Sequence, residues 1–421
     1  MTHPITPDHI YKLVAMLEPS LSPDGASLVF ARSQIDKGRM EAISQIIMMS
    51  LPDGETTSFT HGDSDSIPRF SPDGDTIAFI RPDEKGRNQL WLIGTSGGEA
   101  RRITEVDGGV YDHVWSPDSS CIAFTSDVDP KEKPVDKPNN EPSVKVIKRV
   151  RYRTDNMGWR GDSFRQLFVA NISTEVKQVT RGEGDVVVPA WSPNSDRIAF
   201  ISDRRIDRDL TWHAEVYVIQ AEGGEPKEWS EGMSCYSQGK VVGAVTWSPS
   251  GDKLAVVGTD DHRISDPRQA WLFVIEKNKA PKRLTDGEFT PLLPTSLLRW
   301  TDDGNILFLG DRHGVSYLCE VPSEGGPLRN VSDGNAEYTH LTLDARSEKA
   351  VIRAISPDSS EHLHLLDIKT GSKLTLDHYN DNYFSRHLPA KMEKFTTIRG
   401  GLEIESRLLI PHDFDSTLLY P

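Results

Sequence analysis

The sequence is poor in cysteine and has no long apolar run. Its three cysteines, Cys121, Cys235 and Cys319, lie far apart without a metal-binding spacing, which excludes a disulfide framework and a CxxC metal site. No apolar run approaches the roughly 18 residues of a membrane-spanning helix, and residues 1–10 are too polar for a secretory signal. We therefore expect a cytoplasmic protein whose cysteines are buried as small apolar side chains.

Basic residues are also scarce relative to acidic ones. The chain has 48 Lys and Arg against 63 Asp and Glu, a net charge of −15. This balance argues against a nucleic-acid partner and against an anionic membrane, because both require a basic face. The length of 421 residues exceeds what one ordinary hydrophobic core serves, so we expect several domains or one domain built from repeats.

A turn motif recurs along the chain and indicates a repeat. Its copies begin at Ser22, Ser71, Ser116, Ser192, Ser248 and Thr301, with a weaker copy at Asp344. Most copies read Ser-Pro-Asp-Gly or a close variant, in which Ser binds the turn backbone, Pro presets φ and Gly accepts a positive φ. A short apolar run such as Ile77-Ala78-Phe79 follows each copy and is typical of a buried strand.

Each repeat continues with further strand signals. A second apolar strand such as Trp271–Ile275 is followed in several repeats by a Gly-Gly turn and by a short closing strand such as Arg283–Thr285. Four antiparallel strands in a unit of about 45 residues are typical of a propeller blade. We predict an all-β protein, a seven-bladed β-propeller of four-stranded antiparallel blades over residues 20–376. The Trp or Phe before each turn is predicted to pack between adjacent blades.

An insertion at residues 127–165 lengthens blade three. It begins with a proline-rich charged stretch and continues as Val144–Arg153, where Lys or Arg occupies nearly every other position. This alternation predicts a strand with a basic face, which is either solvated, as charge runs usually are, or able to meet an anionic group. Because loops on rigid scaffolds often carry binding residues, charge and position select the candidate substrate-binding residues Arg149, Arg151, Tyr152 and Trp159.

Both ends of the chain lie outside the repeat. Residues 1–19 contain a predicted amphipathic helix over residues 6–18 with no obvious partner. Residues 377–421 contain a predicted hairpin with a turn at Gly400-Gly401, followed by the approach to a further element.

Two motifs resemble a catalytic site and a metal site, but both are better explained as parts of the repeated blades. Gly94-Thr95-Ser96-Gly97-Gly98 matches the G-x-S-x-G nucleophile elbow, but the sequence after it is a short blade strand instead of a helix. His362 and His364 share one side of a predicted strand, without an identifiable third ligand. We predict no catalytic residue, no metal site and no cofactor in these residues.

The repeated turn motif, the segment Arg149–Gly158 and the tail from Gly401 to Pro421 resemble the prolyl oligopeptidase family of serine peptidases, most closely its acylaminoacyl-peptidase and dipeptidyl-peptidase branch. The resemblance implies that residues 377–421 lead towards an α/β-hydrolase domain that carries the catalytic Ser, Asp and His and is absent from this chain. It also implies that the N-terminal helix packs on that domain and that the chain as given is catalytically inert.

Two functional hypotheses follow from this resemblance. In the first, the chain is a truncated peptidase whose propeller gates and helps orient oligopeptide substrates for the hydrolase domain. In the second, it is a free-standing TolB-like propeller that binds a protein or peptide. The sequence leaves open whether the protein forms an oligomer.

Overall fold

The structure is a computed structural model. It describes residues 5–129, 146–154, 158–173, 175–211, 213–235, 237–238, 241–242, 244–260, 270–287, 289–291, 298–334, 336–356, 361–411 and 414–418. Successive antiparallel sheets follow one another along the chain and form a seven-bladed β-propeller. The predicted fold class is therefore confirmed.

Blades one to four each consist of four strands paired in chain order, and in blade three a separate short strand pair lies between the second and third strands. Their bounds are Ala15–Leu21, Ser27–Asp36, Glu41–Ser50 and Thr56–Ser58 in blade one; Ser66–Phe70, Thr76–Pro82, Asn88–Gly94 and Arg101–Arg102 in blade two; Asp112–Trp115, Cys121–Val128, Phe164–Asn171 and Val176–Gln178 in blade three; and Val186–Trp191, Arg197–Ser202, Glu215–Gln220 and Lys227–Glu228 in blade four.

Blades five to seven keep this order, but in blades five and six two short segments share the innermost position. The bounds are Ser234–Cys235 with Val245–Trp247, Lys253–Thr259, Trp271–Glu276 and Lys282–Arg283 in blade five; Thr290–Pro291 with Arg299–Trp300, Asn305–Arg312, Val315–Pro322 and Arg329–Asn330 in blade six; and Glu337–Leu343, Lys349–Ile355, His362–Asp367 and Lys373–Thr375 in blade seven. A short separate pair, Ser237–Gln238 with Val241–Val242, follows the first segment of blade five.

The recurring Ser-Pro-Asp-Gly motif forms the turn between the first and second strands. In blade one the Ser22 hydroxyl accepts a hydrogen bond from the Ser27 amide at 2.9 Å and donates one to Asp24 at 2.6 Å. Gly25 has a φ of +66°, a conformation that glycine adopts without steric cost. Ser119, which replaces this glycine in blade three, has a φ of +60°. The turn geometry is thus retained where the glycine is lost.

The tryptophans before these turns connect neighbouring blades, as predicted. The indole nitrogen of Trp115 donates to the backbone carbonyl of Arg69 in blade two at 3.2 Å. Trp247 makes the equivalent bond to Ala190 in blade four at 3.0 Å. A buried indole N–H needs an acceptor, and the preceding blade supplies one.

Among the described residues, no strand is shared between blades one and seven where the ring closes, since each of these two sheets is built from one stretch of the chain. Backbone amides of blade one bond to side chains of blade seven instead: Met16 to Glu361 at 2.9 Å and Leu21 to Thr342 at 2.9 Å. Apolar side chains from both blades pack together at this seam: Met16, Leu28, Phe30, Met49, Val351 and Leu363.

The N-terminal segment differs from the prediction. A 3-10 helix spans only Pro7–Lys12, and Ala15–Leu21 is the first strand of blade one, although a helix was predicted over residues 6–18. The reason is burial: Met16 is fully buried at the seam, whereas Ile10 in the short helix is 51% exposed. The propeller therefore begins before residue 20.

The N-terminal helix contacts blade one. Gln34 donates to the Tyr11 carbonyl at 3.0 Å, and Lys37 pairs with Asp8 at 3.2 Å. Packing of this helix on a hydrolase domain stays a prediction.

After blade seven a short helix, Asp381–Phe384, precedes a hairpin formed by Lys391–Arg399 and Leu402–Ile410. Gly400 and Gly401 both have positive φ in its turn, as predicted. Within the described ranges, no helix has the length and apolar character needed to cross a membrane.

Candidate functional site

Strand direction assigns the loops of the propeller to two ends. Because antiparallel strands alternate in direction, the turns between second and third strands lie at one end of every blade, which we call the loop face. The blade-three insertion and the blade-four loop at residues 203–211 both belong to this face. The tail hairpin contacts it as well, since Arg407 donates to the Gly314 carbonyl at 2.6 Å in the corresponding turn of blade six.

The described part of the insertion is not the long basic strand that the alternation predicts. Residues 130–145, including the proline-rich stretch and the start of Val144–Arg153, lie outside the described residues. Residues 146–152 form no strand, and only Arg153–Thr154 pairs, with Gly158–Trp159. The reason is that Arg149 and Arg151 turn towards blade four and do not form a solvated strand face.

Arg149 is held by blade four. Its guanidinium donates to both carboxylate oxygens of Asp209, at 3.0 and 2.9 Å, and to the Ser163 carbonyl at 3.3 Å. It also lies over the Phe164 ring, 4.1 Å from the centroid. The bond from Arg149 lowers the pKa of Asp209. This two-bond geometry fixes the orientation of both partners, so Arg149 connects the insertion to the blade-four loop.

The other three candidate residues lie beside this contact. Arg151 donates to the Thr211 carbonyl, and burial lowers its pKa. The rings of Tyr152 and Trp159 are 5.4 Å apart, and Trp159 is 37% exposed. The structure thus brings all four residues to one part of the loop face, with the arginines connecting loops and the aromatic pair near the surface. Contact with substrate stays a prediction for each.

A second arginine cluster, which the sequence analysis missed, anchors the base of the insertion. Arg160 donates to Asp185 at 2.6 and 2.9 Å and to Asp127 at 3.1 Å. Burial raises the pKa of Asp185, but the hydrogen bond and the charge of Arg160, together with the amide and the charge of Arg165, outweigh it, and the pKa is lowered. Arg165 lies 3.7 Å from the centroid of the Tyr111 ring. The sequence shows Arg160 but gives no signal for its partner in the next blade.

A buried acidic group lies under the blade-four loop. His213 contacts Glu215 at 2.9 Å, and Arg205 lies 3.6 Å from Asp203 and 3.5 Å from Glu215. Burial raises the pKa of Asp203 to about 6, with a further contribution from the Glu215 charge. Among the described residues, one carboxylate oxygen of Asp203 and one of Glu215 have no hydrogen-bond partner. This group could not be predicted from the sequence, because its members are separated along the chain by the loop and only the fold brings them together.

Three comparisons relate this chain to known proteins. The TolB beta propeller domain family matches residues 12–152. The uncharacterized peptidase YuxL of Bacillus subtilis is 31% identical over 223 residues, 51% of this chain and 34% of YuxL. Dipeptidyl-peptidase 5 of Porphyromonas gingivalis is 24% identical over 99% of this chain and 62% of that protein. The chain is a relative of these peptidases.

The fold agrees with this relationship. The acylaminoacyl peptidase of Pyrococcus horikoshii superposes with a TM-score of 0.74 at 17% identity, over 97% of this chain and 59% of that one. This chain therefore spans less than two thirds of the length of each of these three peptidases. It resembles the propeller domains of such peptidases.

The G-x-S-x-G motif at Gly94–Gly98 lies in blade two, and the histidine pair His362 and His364 lies in blade seven. Ser96 is exposed in the turn between Asn88–Gly94 and Arg101–Arg102, so the strand–turn–helix context of a nucleophile elbow is not present there. The rings of His362 and His364 are 6.0 Å apart, but His362 faces Asp377 and His364 contacts Thr375 at 3.2 Å. Across the described ranges, no three or more His, Cys, Asp or Glu residues form a group suited to a metal.

Proposed function

We propose that this chain is the propeller part of a serine peptidase, which gates and helps orient oligopeptide substrates for a separate α/β-hydrolase domain and does not itself catalyse hydrolysis. The observation that carries the proposal is the match to dipeptidyl-peptidase 5 over 99% of this chain. A match along the whole chain supports a shared architecture better than a match to single blades, which TolB-like propellers also have.

The arrangement of the loop face supports a gating role. The tail hairpin bonds to the loop face through Arg407, and the N-terminal helix contacts the loop-face end of blade one through Lys37. A hydrolase domain that follows the hairpin would then face the same end of the ring as the insertion. Peptides reaching its active site would pass these loops, and a rigid ring excludes folded proteins by size.

The contacts of the insertion support an orienting role. Arg149 connects it to Asp209 in the blade-four loop. Arg160 connects it to Asp185, which lies just before the first strand of blade four. Loops held by charge-assisted, two-bond contacts keep one geometry, and binding to a pre-organised surface loses less conformational entropy than binding to a mobile one.

A chimera tests the proposal. In it, this chain replaces the matched region of dipeptidyl-peptidase 5, and the parent enzyme is the control. We expect the chimera to cleave a dipeptidyl chromogenic substrate and short peptides while sparing folded proteins, and the isolated chain to cleave none of them. Hydrolysis by the isolated chain, or cleavage of folded protein by the chimera at the rate seen with short peptides, would overturn it.

A free-standing TolB-like binding propeller is the second candidate, favoured by the family match over residues 12–152. It predicts an inactive chimera together with tight, saturable binding of a protein or peptide by the isolated chain. The two candidates therefore give opposite results in the chimera.

A further inference from the structure

Two segments of the loop face, joined by the Arg149–Asp209 contact, expose large apolar side chains. In the described part of the insertion, Val146 and Val150 are each 66% exposed and Ile147 is 55% exposed. In the blade-four loop, Ile206 is 99% and Leu210 is 71% exposed. We call these five side chains the apolar rim. Clusters of exposed apolar side chains on a soluble fold indicate an interaction site more often than chance exposure does.

Buried polar contacts hold the two halves of the apolar rim together. Val150 lies between Arg149, which bonds to Asp209, and Arg151, which bonds to the Thr211 carbonyl. Leu210 lies between those two partners in the sequence. The side chains of Arg149 and Asp209 are only 13% and 20% exposed, so this contact is largely shielded from water. The rim is thus pre-organised before any ligand binds.

The surroundings of the apolar rim are basic, unlike the rest of the chain. Residues 146–154 and 203–211 contain seven cations: Lys148, Arg149, Arg151, Arg153, Arg204, Arg205 and Arg208. The carboxylates within these segments are Asp203, Asp207 and Asp209, and Glu183 and Glu215 from outside them contact Arg208 and Arg205, so the cations remain in excess. Lys148 and Arg153 are exposed, while the whole chain carries a net charge of −15. A local positive patch on an acidic protein attracts anionic groups at short range.

From this combination we infer that the apolar rim and its flanking cations bind oligopeptide segments in which acidic residues alternate with apolar ones. Apolar side chains of the peptide contact Val150, Ile206 and Leu210, and its carboxylates approach Lys148 and Arg153. The inference rests on the proposed function, since it names the class of peptide that the propeller favours. It concerns binding by this chain alone and needs no hydrolase domain.

The net charge of the whole chain and the local charge of the proposed site favour peptides of opposite charge, which makes the inference testable. Long-range attraction to a chain of net charge −15 favours a cationic peptide, whereas the local site favours an acidic one. Fluorescence anisotropy with three labelled decapeptides, alternating Glu-Leu, Lys-Leu and Glu-Ser, separates these effects. We expect the Glu-Leu peptide to bind at least ten-fold more tightly than either of the others, and its affinity to fall as salt rises.

Matched variants locate the site. Ile206→Ser with Leu210→Ser, and separately Lys148→Glu, are expected to weaken binding of the Glu-Leu peptide at least five-fold. Ile398→Ser in the tail hairpin, where Ile398 is 75% exposed, and Lys369→Glu in the blade-seven turn at the opposite end are expected to leave it unchanged. Each substituted side chain is exposed, so we expect all of these variants to fold. A melting temperature equal to that of the unmodified chain verifies this for each variant.

Three results would overturn the inference. They are equal or tighter binding of the Lys-Leu peptide, an equal loss of affinity in the control variants, or sedimentation showing a dimer of this chain that Ile206→Ser dissociates. The last result would mean that a second copy covers the rim. An active chimera combined with any of them would leave the proposed function standing, so the two failures are distinguishable.

Discussion

The indole nitrogen of Trp191 in blade four donates a hydrogen bond of 3.1 Å to the backbone carbonyl of Val114 in blade three. Val114 immediately precedes Trp115, which makes the same bond to blade two. In the repeats of Trp115, Trp191 and Trp247 the indole therefore bonds to the residue just before the aromatic residue of the preceding repeat. Through this relation one sequence motif fixes both the turn within a blade and the contact between blades.

Trp191→Phe should destabilise the propeller by about 1 kcal/mol more than Trp300→Phe, since both changes shorten the aromatic side chain but only Trp191 loses an indole hydrogen bond. Chemical denaturation measures the change. Trp300→Phe is the matched control, because Trp300 holds the equivalent place in blade six and, among the described residues, its indole has no hydrogen-bond acceptor. An equal loss in both variants would contradict a specific role for the bond.

Asn380→Ala should loosen the seam between blades one and seven. The Asn380 side chain accepts from the Val14 amide at 3.0 Å and donates to the Val14 carbonyl at 2.8 Å, next to the first strand of blade one. Because the strands that the structure describes include none shared across this seam, we expect faster hydrogen exchange at residues 14–21 and a loss of about 1–2 kcal/mol in the free energy of unfolding. Asn382→Ala, at an exposed position two residues further along the chain, should change neither the hydrogen exchange nor the stability. Unchanged hydrogen exchange at residues 14–21 in Asn380→Ala would refute this role of Asn380.

The number of blades could be predicted because a turn with Ser, Pro and Gly in fixed places, or a recognisable variant of it, recurs in each blade. The first strand of blade one could not. Glu18 has a φ of +52°, and the register shifts between Leu17 and Ser20, so a bulge interrupts the two-residue alternation that marks a strand. The spacing of Ile10, Leu13 and Leu17 then fits a helix equally well.

The candidate site was only partly predictable for a different reason. Arg149 stands out in the sequence by its charge, but its partner Asp209 lies in another blade, and nothing local to either residue indicates the pairing. The buried environment of Asp203 likewise arises from neighbours that only the folded ring brings together. Sequence thus selected four residues that the structure brings together on the loop face, while the contacts of the two arginines with the blade-four loop required the structure.

Arg149→Lys should release the insertion from the blade-four loop. An ammonium group cannot reproduce two parallel bonds to Asp209 together with packing on Phe164. We expect faster hydrogen exchange at residues 203–211 and a loss of roughly 1–3 kcal/mol. Arg39→Lys is the control, because its pairing with Asp63 joins side chains that are 57% and 59% exposed; such pairs add little stability. Unchanged exchange in Arg149→Lys would show that other contacts hold the loop.

Asp203→Asn should stabilise the protein at pH 7 to 8. Burial raises the pKa of Asp203 to about 6, above the value of roughly 4 for an unfolded chain, so the folded state binds the proton more tightly. Its contribution to stability is present below pH 4 and is lost as the pH rises to about 6. The asparagine, which stays neutral, should gain up to about 2 kcal/mol at pH 8, with the gain shrinking below pH 6 and vanishing near pH 4.

Melting temperatures between pH 4 and pH 8 measure this dependence, with Asp207→Asn as the control at an exposed position of the same loop. The Asp203 carboxylate also accepts the Arg205 amide at 3.2 Å, a bond that the asparagine oxygen can keep. If Asp203→Asn instead lowered the melting temperature at pH 8, the ionised carboxylate would have to be stabilised by Arg205 more than burial destabilises it. The blade-four loop would then be held by charge, and it would loosen on acidification instead of tightening.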